Sequence, residues 1–286
     1  METILRIAVQ KSGRLSEKSL QFIEKCGISY SRNKTKLKSK AHNFPLEILF
    51  LRDDDIPRYV AAGIADVGIV GENVVAEEEE PVEITLKMGF SKCRLSIAIP
   101  QPEAYEGPES LEGKSIATSY PNLLRNYLDS KGVESHIHEI SGSVEIAPSI
   151  GLAQAVCDIV STGSTLMSNG LKEAEVIFKS QAVLIQYPKL SEDKSAILKR
   201  LLFRANSVLK AKNYRYILMN VPNDAIEKVK DILPGMRSPS ILPLAEEGWS
   251  SLHSVVQEDD FWGIIENLRE VGAEGILVVP IEKMIT

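Results

Sequence analysis

Strands and helices alternate along the first two thirds of this 286-residue chain, and that alternation restricts its fold more than any other feature. The segment 4–9 (ILRIAV) reads as a strand, and 15–27 (LSEKSLQFIEKCG) as a helix with Leu20, Ile23 and Cys26 on one stripe. The next strand is 46–51; Asp55 is then placed to cap a helix whose second residue is Pro57, and 67–71 (VGIVG) is a further strand. A second set begins near Arg94 with strand 95–100, strand 114–119, helix 121–132 and strand 135–140. A helix from Glu145 and a short strand from Asp158 follow, and 175–180 and 182–186 continue the pattern. Such alternation builds α/β layers with largely parallel sheets.

After about Lys212 the pattern changes. Strand 214–222, helix 223–233, strands 240–245 and 251–257, helix 259–272 and strand 274–284 follow in turn. The order β-α-β-β-α-β is that of a ferredoxin-like unit. Such a module appended to an enzyme often binds a regulator or mediates assembly, an inference by analogy of fold alone.

The net charge of −6 argues against a general nucleic-acid binder. No apolar run reaches the roughly 20 residues of a membrane span. The N-terminal METILRIAVQKSGRLSE has no basic region ahead of an apolar core, so no secretory signal is read there. Cys26, Cys93 and Cys157 are an odd, widely spaced set without zinc-ligand spacing, which fits a reducing compartment. A cytoplasmic protein with neither nucleic acid nor membrane as partner is expected. An internal echo adds to this: GIADVGIVG (63–71) and AVCDIVSTG (155–163) both run helix end, Asp, apolar strand, Gly. Two related lobes with a ligand cleft between them would explain it; chance likeness of two strand–helix units would as well.

The stretch with the most chemistry is EIAPSIGLAQAVCDIVSTGSTLM, Glu145 to Met167. Its turn, Ser161-Thr162-Gly163-Ser164-Thr165, offers backbone N–H groups and hydroxyls to an anion at a helix N-terminus. It holds no Lys or Arg, which suits a phosphate already carrying a metal ion. An ordinary capped helix start reads equally well, since Ser and Thr are good caps. Arg52 ends a strand, where it can bond a phosphate bidentately or pair with Asp53 or Asp54. The run Asp53-Asp54-Asp55 reads as capping and solvation, because adjacent carboxylates converge poorly on one ion. Glu77 to Glu80 read as a solvated helix end or loop. His136 and His138 share a strand face without a third local metal ligand.

The signature resembles the ATP phosphoribosyltransferase family. So do KSGRL (11–15), RDDDIPRYVAAGIADVGIVGENV (52–74), SIATSYPNLLRNYL (115–128), LPGMRSPSILPL (233–244) and GAEGILVVPIEKM (272–284), in the right order over nearly the whole chain. The likeness is to the long form, which carries a C-terminal histidine-sensing domain. It implies a bilobal catalytic unit resembling type II periplasmic binding proteins: lobe I over 1–93 with a return at about 184–212, lobe II over 94–183, and a regulatory domain over 213–286. It implies transfer of phosphoribose from phosphoribosyl pyrophosphate to N1 of ATP with release of pyrophosphate, the first step of histidine biosynthesis. Mg2+, held mainly by substrate phosphates, is the implied cofactor. L-histidine is the implied inhibitor, and a dimer assembling to a hexamer the implied oligomer.

By the same resemblance, Glu145, Asp158, Ser161, Thr162, Gly163, Ser164 and Thr165 bind the phosphoribosyl donor. Lys11, Gly13, Arg14, Arg52, Gly71, Asn73 and Tyr120 bind ATP. Asn220, Ser238, Ser240 and Gly275 bind histidine. The family often has Pro-Lys-Gly-Arg where this chain reads Gln10-Lys11-Ser12-Gly13-Arg14, and an acidic residue is known at the place of Asn220. No side chain is assigned as acid or base, since adenine N1 attacks unprotonated. The rival readings are a non-catalytic bilobal binding module and a nucleotide-linked dehydrogenase; the latter lacks a G-x-G-x-x-G after a strand.

Overall fold

The computed structural model describes residues 3–32, 35–233 and 239–285. The chain opens with β1 (Leu5–Gln10), α1 (Arg14–Lys25), β2 (Lys38–Lys40), β3 (Leu46–Leu51), α2 (Ile56–Ala61), β4 (Val67–Gly71), α3 (Glu72–Glu78) and β5 (Glu83–Lys87). It continues through β6 (Cys93–Pro100), β7 (Ser115–Thr118), α4 (Pro121–Lys131), β8 (His136–Glu139), β9 (Ala155–Val160), α5 (Ser164–Ser168) and β10 (Leu171–Ser180). Then come β11 (Ala182–Gln186) and α6 (Glu192–Ala211). The last elements are β12 (Tyr214–Pro222), α7 (Ile226–Ile232), β13 (Ser240–Pro243), β14 (Trp249–Gln257), α8 (Phe261–Glu270) and β15 (Glu274–Pro280).

One sheet has the order β2-β3-β1-β4-β11-β5 and a second the order β10-β6-β9-β7-β8. They share a plan. In the first, β3, β1 and β4 are parallel, and antiparallel β11 arrives only after the chain has built the other sheet. In the second, β8, β7 and β9 are parallel, and antiparallel β6 arrives from the first. The order second, first, third, crossing strand, fourth in both sheets is that of the type II periplasmic binding proteins, the bilobal fold expected. Strand β4 is buried along Val67–Val70 because it is covered on both faces. Helix α2 seals one of them with Ile56 and Val60, both fully buried.

The chain divides into two compact units: residues up to Glu24 with Ile28–Leu198, and Lys25–Gly27 with the chain from Lys199 onward. In the second unit the sheet order is β13-β14-β12-β15, antiparallel throughout, the ferredoxin-like arrangement expected. Strand β12 alternates cleanly: Ile217, Met219 and Val221 are buried with Val229, Ile264 and Leu268 of the helices, while Tyr216, Leu218 and Asn220 lie half-buried on the other face.

Several expectations change. The helix expected from Glu145 is only a 3-10 turn at Val144–Ile146. Pro148 and Gly151, the latter at φ +76°, follow too closely for a longer helix. Asp55 stands at the N-cap of α2 but makes no side-chain capping bond. The echo holds in topology, since β4 and β9 occupy the same place in their sheets, but the two aspartates are not equivalent. Asp66 lies ahead of β4, buried, accepting from Arg6 N–H and from Lys194 Nζ at 2.7 Å each. Asp158 lies inside β9.

Candidate active site

Loops follow the carboxyl ends of the six parallel strands, the edge where α/β sheets bind ligands. In the first lobe Lys11 to Gly13 follow β1, Arg52 to Asp55 follow β3, and Gly71 ends β4. In the second, Ser119 and Tyr120 follow β7, and Ser161 to Gly163 follow β9.

The turn after β9 is exposed at Ser161, Thr162, Ser164 and Thr165. Gly163 takes the left-handed φ of +82° as it enters α5. Among the described residues, the amide groups of Thr162 to Thr165 have no backbone acceptor, and Thr162 Oγ1 lies 3.1 Å from Ser164 Oγ. A run of free donors at the end of a buried strand suits an anion. Arg94 on β6 reaches the turn from behind: its Nη1 donates to Ser161 O at 3.3 Å, while Glu173 holds the rest of its guanidinium. That pairing keeps the Glu173 carboxyl below the usual carboxylate range.

Asp158 lies in β9 just ahead of this turn, and the charge of Glu145 reaches it. Burial pushes the Asp158 carboxyl up to about 6; its own Ile159 N–H at 2.7 Å opposes the rise, and the Glu145 charge adds to it. A half-buried carboxylate beside a second one is poised to accept hydroxyl protons or sit near a cation.

On the first lobe, a cavity of ≈ 370 Å³ is lined by Lys11, Ser12, Gly13, Arg32 and Lys36 among others. Arg32 lies over the Phe50 ring, 5.6 Å from its centroid, and donates to Lys11 O at 3.2 Å. The cavity is cationic, as a polyphosphate needs. Arg14 is exposed at the start of α1. Arg52 pairs with Asp54 at 3.2 Å, the plainer of its two expected roles; both side chains are exposed, and such pairs contribute about 0–1 kcal/mol, so a phosphate can displace the aspartate.

The two sets of loops meet at Asn73 and Tyr120. Asn73, buried at the start of α3, donates from Nδ2 to Tyr120 Oη at 3.1 Å. Its Oδ1 accepts from Ser180 Oγ at 2.7 Å, and its N–H donates to the same hydroxyl at 3.1 Å. Burial raises the Tyr120 phenol pKa, with the charges of Asp158 and Asp53 adding to the rise. One hydroxyl thus feels a carboxylate from each lobe. Glu77 completes the seam. Its carboxylate accepts from the N–H groups of Asn122 and Leu123, at 2.8 and 3.0 Å, and so caps α4 from the other lobe. The expectation of a solvated glutamate run is wrong for Glu77, which is buried. It holds for exposed Glu79, while Glu78 and Glu80 bind Arg58.

The family model described as ATP phosphoribosyltransferase matches residues 52–207. The chain belongs to the ATP phosphoribosyltransferase family. A second model, described as HisG, C-terminal domain, matches residues 211–283. A relative from Cytophaga hutchinsonii named ATP phosphoribosyltransferase is 60% identical over 285 residues, spanning 100% of both chains. One of the same name from Bacteroides thetaiotaomicron is 55% identical over 282 residues, 99% of this chain and 100% of that protein. A solved structure entitled ATP phosphoribosyl transferase (HisG:HisZ) complex from Thermotoga maritima superposes with a TM-score of 0.61 at 28% identity, covering 71% of this chain and 99% of that one. The family is a pentosyltransferase of the first step of histidine biosynthesis, and this chain is an enzyme of that class. The reading as a non-catalytic binding module falls with it.

The second unit holds the residues expected to bind histidine. Asn220 and Gly275 are neighbours: a Cβ on Gly275 would lie 3.3 Å from Asn220 Nδ2. Ser240 starts β13, opposite His253 and two strands from Asn220. Ser238 lies outside the described residues. Beside Asn220, His253 bonds Tyr216 Oη at 2.8 Å and Ser251 Oγ at 3.2 Å, a polar trio that the sequence reading passed over. Also passed over were Arg32 and Lys36, which line the cavity, and Arg94, which meets Ser161 and Glu173 far along the chain. Among the described residues, no helix is long and apolar enough to cross a membrane, and no three His, Cys, Asp or Glu side chains converge as a metal cage.

Proposed function

We propose that the turn Ser161 to Thr165 holds the 5-phosphate of phosphoribosyl pyrophosphate, with Asp158 and Glu145 at its ribose, and that ATP enters from the first-lobe side. The observation that carries this reading is the Tyr120 hydroxyl, bonded to Asn73 and acted on by Asp158 and Asp53, at the seam of both sets of loops. Lys11, Gly13 and Arg14, with Arg52, would take the ATP phosphates. Gly71 ends the strand that presents Asn73, and Asn73 serves through Tyr120, because its amide is already engaged by protein.

The chemistry needs alignment more than proton transfer. The adenine N1 lone pair forms the bond to the anomeric carbon as the bond to the pyrophosphate oxygen breaks, and the electron pair leaves with pyrophosphate. Positive charge at the anomeric carbon is steadied by the Asp158 and Glu145 carboxylates. Mg2+ fits this donor set: the hard carboxylate oxygens of Asp158 and Glu145 suit an ion bound chiefly to substrate phosphates. It would neutralise the leaving pyrophosphate.

The same proposal extends to the whole chain. Lobes over 1–93, with a return at 184–212, and over 94–183 would be catalytic, and 213–286 would sense L-histidine. A cytoplasmic homo-oligomer, dimer to hexamer, is the expected form. The test is a steady-state assay of phosphoribosyl-ATP with Thr162→Ala. Loss of a hydroxyl that bonds a charged oxygen should weaken donor binding by about 1.5–3 kcal/mol and leave ATP binding alone. Unchanged donor KM would leave the turn as a helix cap.

A further inference from the structure

Arg94 belongs to the crossing strand β6, opposite Val160 of β9. Its Nε and Nη2 donate to the two oxygens of Glu173 at 2.5 Å each, and Ser96 Oγ donates to the same carboxylate at 2.7 Å. With two nitrogens locked on one carboxylate, the direction of the third is set by the planar guanidinium. That third nitrogen donates to Ser161 O at 3.3 Å. Among the described residues, this is the one side-chain bond from outside the segment 161–169 to the backbone of Ser161 to Thr165.

In a trans peptide the C=O and N–H point in opposite directions. Fixing Ser161 O toward Arg94 therefore fixes the Thr162 N–H away from it. We infer that Arg94, locked by Glu173, is a positioning residue for the donor turn: it orients the Ser161–Thr162 peptide so that Thr162 N–H meets the donor phosphate. The inference rests on the reading of that turn as the donor site. It also accounts for a turn without its own cation. The nearest guanidinium is neutralised by Glu173 and serves geometry rather than charge, which leaves the turn open to a phosphate that brings Mg2+.

The test is steady-state kinetics of the full-length chain, with phosphoribosyl pyrophosphate and ATP varied separately. The variants are Arg94→Met, Arg94→Lys, Glu173→Gln and, as a control on the turn itself, Gly163→Val. Arg94→Met should raise the donor KM about ten- to a hundredfold and leave the ATP KM unchanged. Arg94→Lys, which can serve one acceptor at a time, should fall between, and Glu173→Gln should raise the donor KM less. A merely structural Arg94 would lower the melting temperature and leave both KM values alone, and that result overturns the inference. So does an equal rise in both. If Gly163→Val raises the donor KM and the Arg94 variants do not, the positioning role is wrong and the turn reading stands. If Gly163→Val has no effect either, the turn reading itself falls. Should Arg94→Met not fold, Glu173→Gln decides by the same comparison of the two KM values.

Discussion

Asn73 of the first lobe donates its side-chain amide to the Tyr120 hydroxyl of the second, 3.1 Å away. The bond lies where the chain crosses between lobes, because Ser180, which holds Asn73, ends β10 just before the crossing strand β11. Tyr120→Phe removes the acceptor and should cost about 0.5–1.5 kcal/mol. Asn73→Ala should cost more, since it also strips a partner from Ser180. Measured by denaturant unfolding, the double variant should be less destabilised than the sum of the singles. Strict additivity would mean that the two side chains do not support each other.

Glu77 makes a second connection across the same seam, and its test is pH. Burial raises its carboxyl pKa, and the N–H groups of Leu123 and Asn122 only partly oppose the rise. A carboxyl raised in the folded state is protonated there while the unfolded chain is already ionised. Its contribution is therefore full below the unfolded pKa and is lost as pH rises through the folded one. Glu77→Gln, which cannot titrate, should gain stability relative to the wild type as pH rises from acid to neutral. Glu77→Ala loses the α4 cap and should be destabilised by about 0.5–2 kcal/mol at any pH. Parallel stability–pH curves for wild type and Glu77→Gln would show that the group does not titrate in this range.

These two connections also mark how far the sequence could be read. Strand runs such as Leu46–Leu51 and Ala182–Gln186 were legible because they are short and rich in Val, Ile and Leu, with Glu47 and Gln186 their only polar members, and the turn at Ser161 because its residue types are unusual. The long helix α6 was legible in principle: Ile197, Leu201, Ala205 and Val208 recur at helical spacing and are buried. Glu77 was not, because a glutamate among four looks solvated until the amino end of another helix, 45 residues on, is placed against it. The same holds for Arg94, which meets Glu173 at a separation of 79 residues. Side chains that act through distant partners carry no local pattern.

Asp158 should give the donor step its own pH dependence. Its carboxyl is pushed up to about 6 by burial first and by Glu145 after that. If the carboxylate accepts the ribose hydroxyls, only the ionised form binds the donor. Then kcat/KM for the donor should fall as pH drops below about 6. The donor's own phosphates titrate as well, but equally for every variant. The ratio of wild type to Asp158→Asn therefore isolates this residue and should shrink toward acid pH. A ratio constant with pH would remove Asp158 from donor binding.

In the proposed histidine site the deciding group is one amide. Asn220 adjoins Gly275, which holds a left-handed φ of +59° at the start of β15. By the family resemblance an acidic residue is known at the place of Asn220, and an amide cannot neutralise the ammonium of a histidine bound there. Asn220→Asp should therefore strengthen inhibition of the full-length enzyme. The gain of a charge-assisted bond over a neutral one is about 1 kcal/mol, or roughly fivefold in the inhibition constant. Gly275→Ala should act in the other direction. A Cβ there would lie 3.3 Å from Asn220 Nδ2, and the left-handed backbone would cost about 1–2 kcal/mol more than with glycine. The measurement is L-histidine inhibition at low substrate, with basal turnover as the control. If inhibition is absent in the full-length chain, or is the same in all three proteins, histidine does not bind between Asn220 and Gly275.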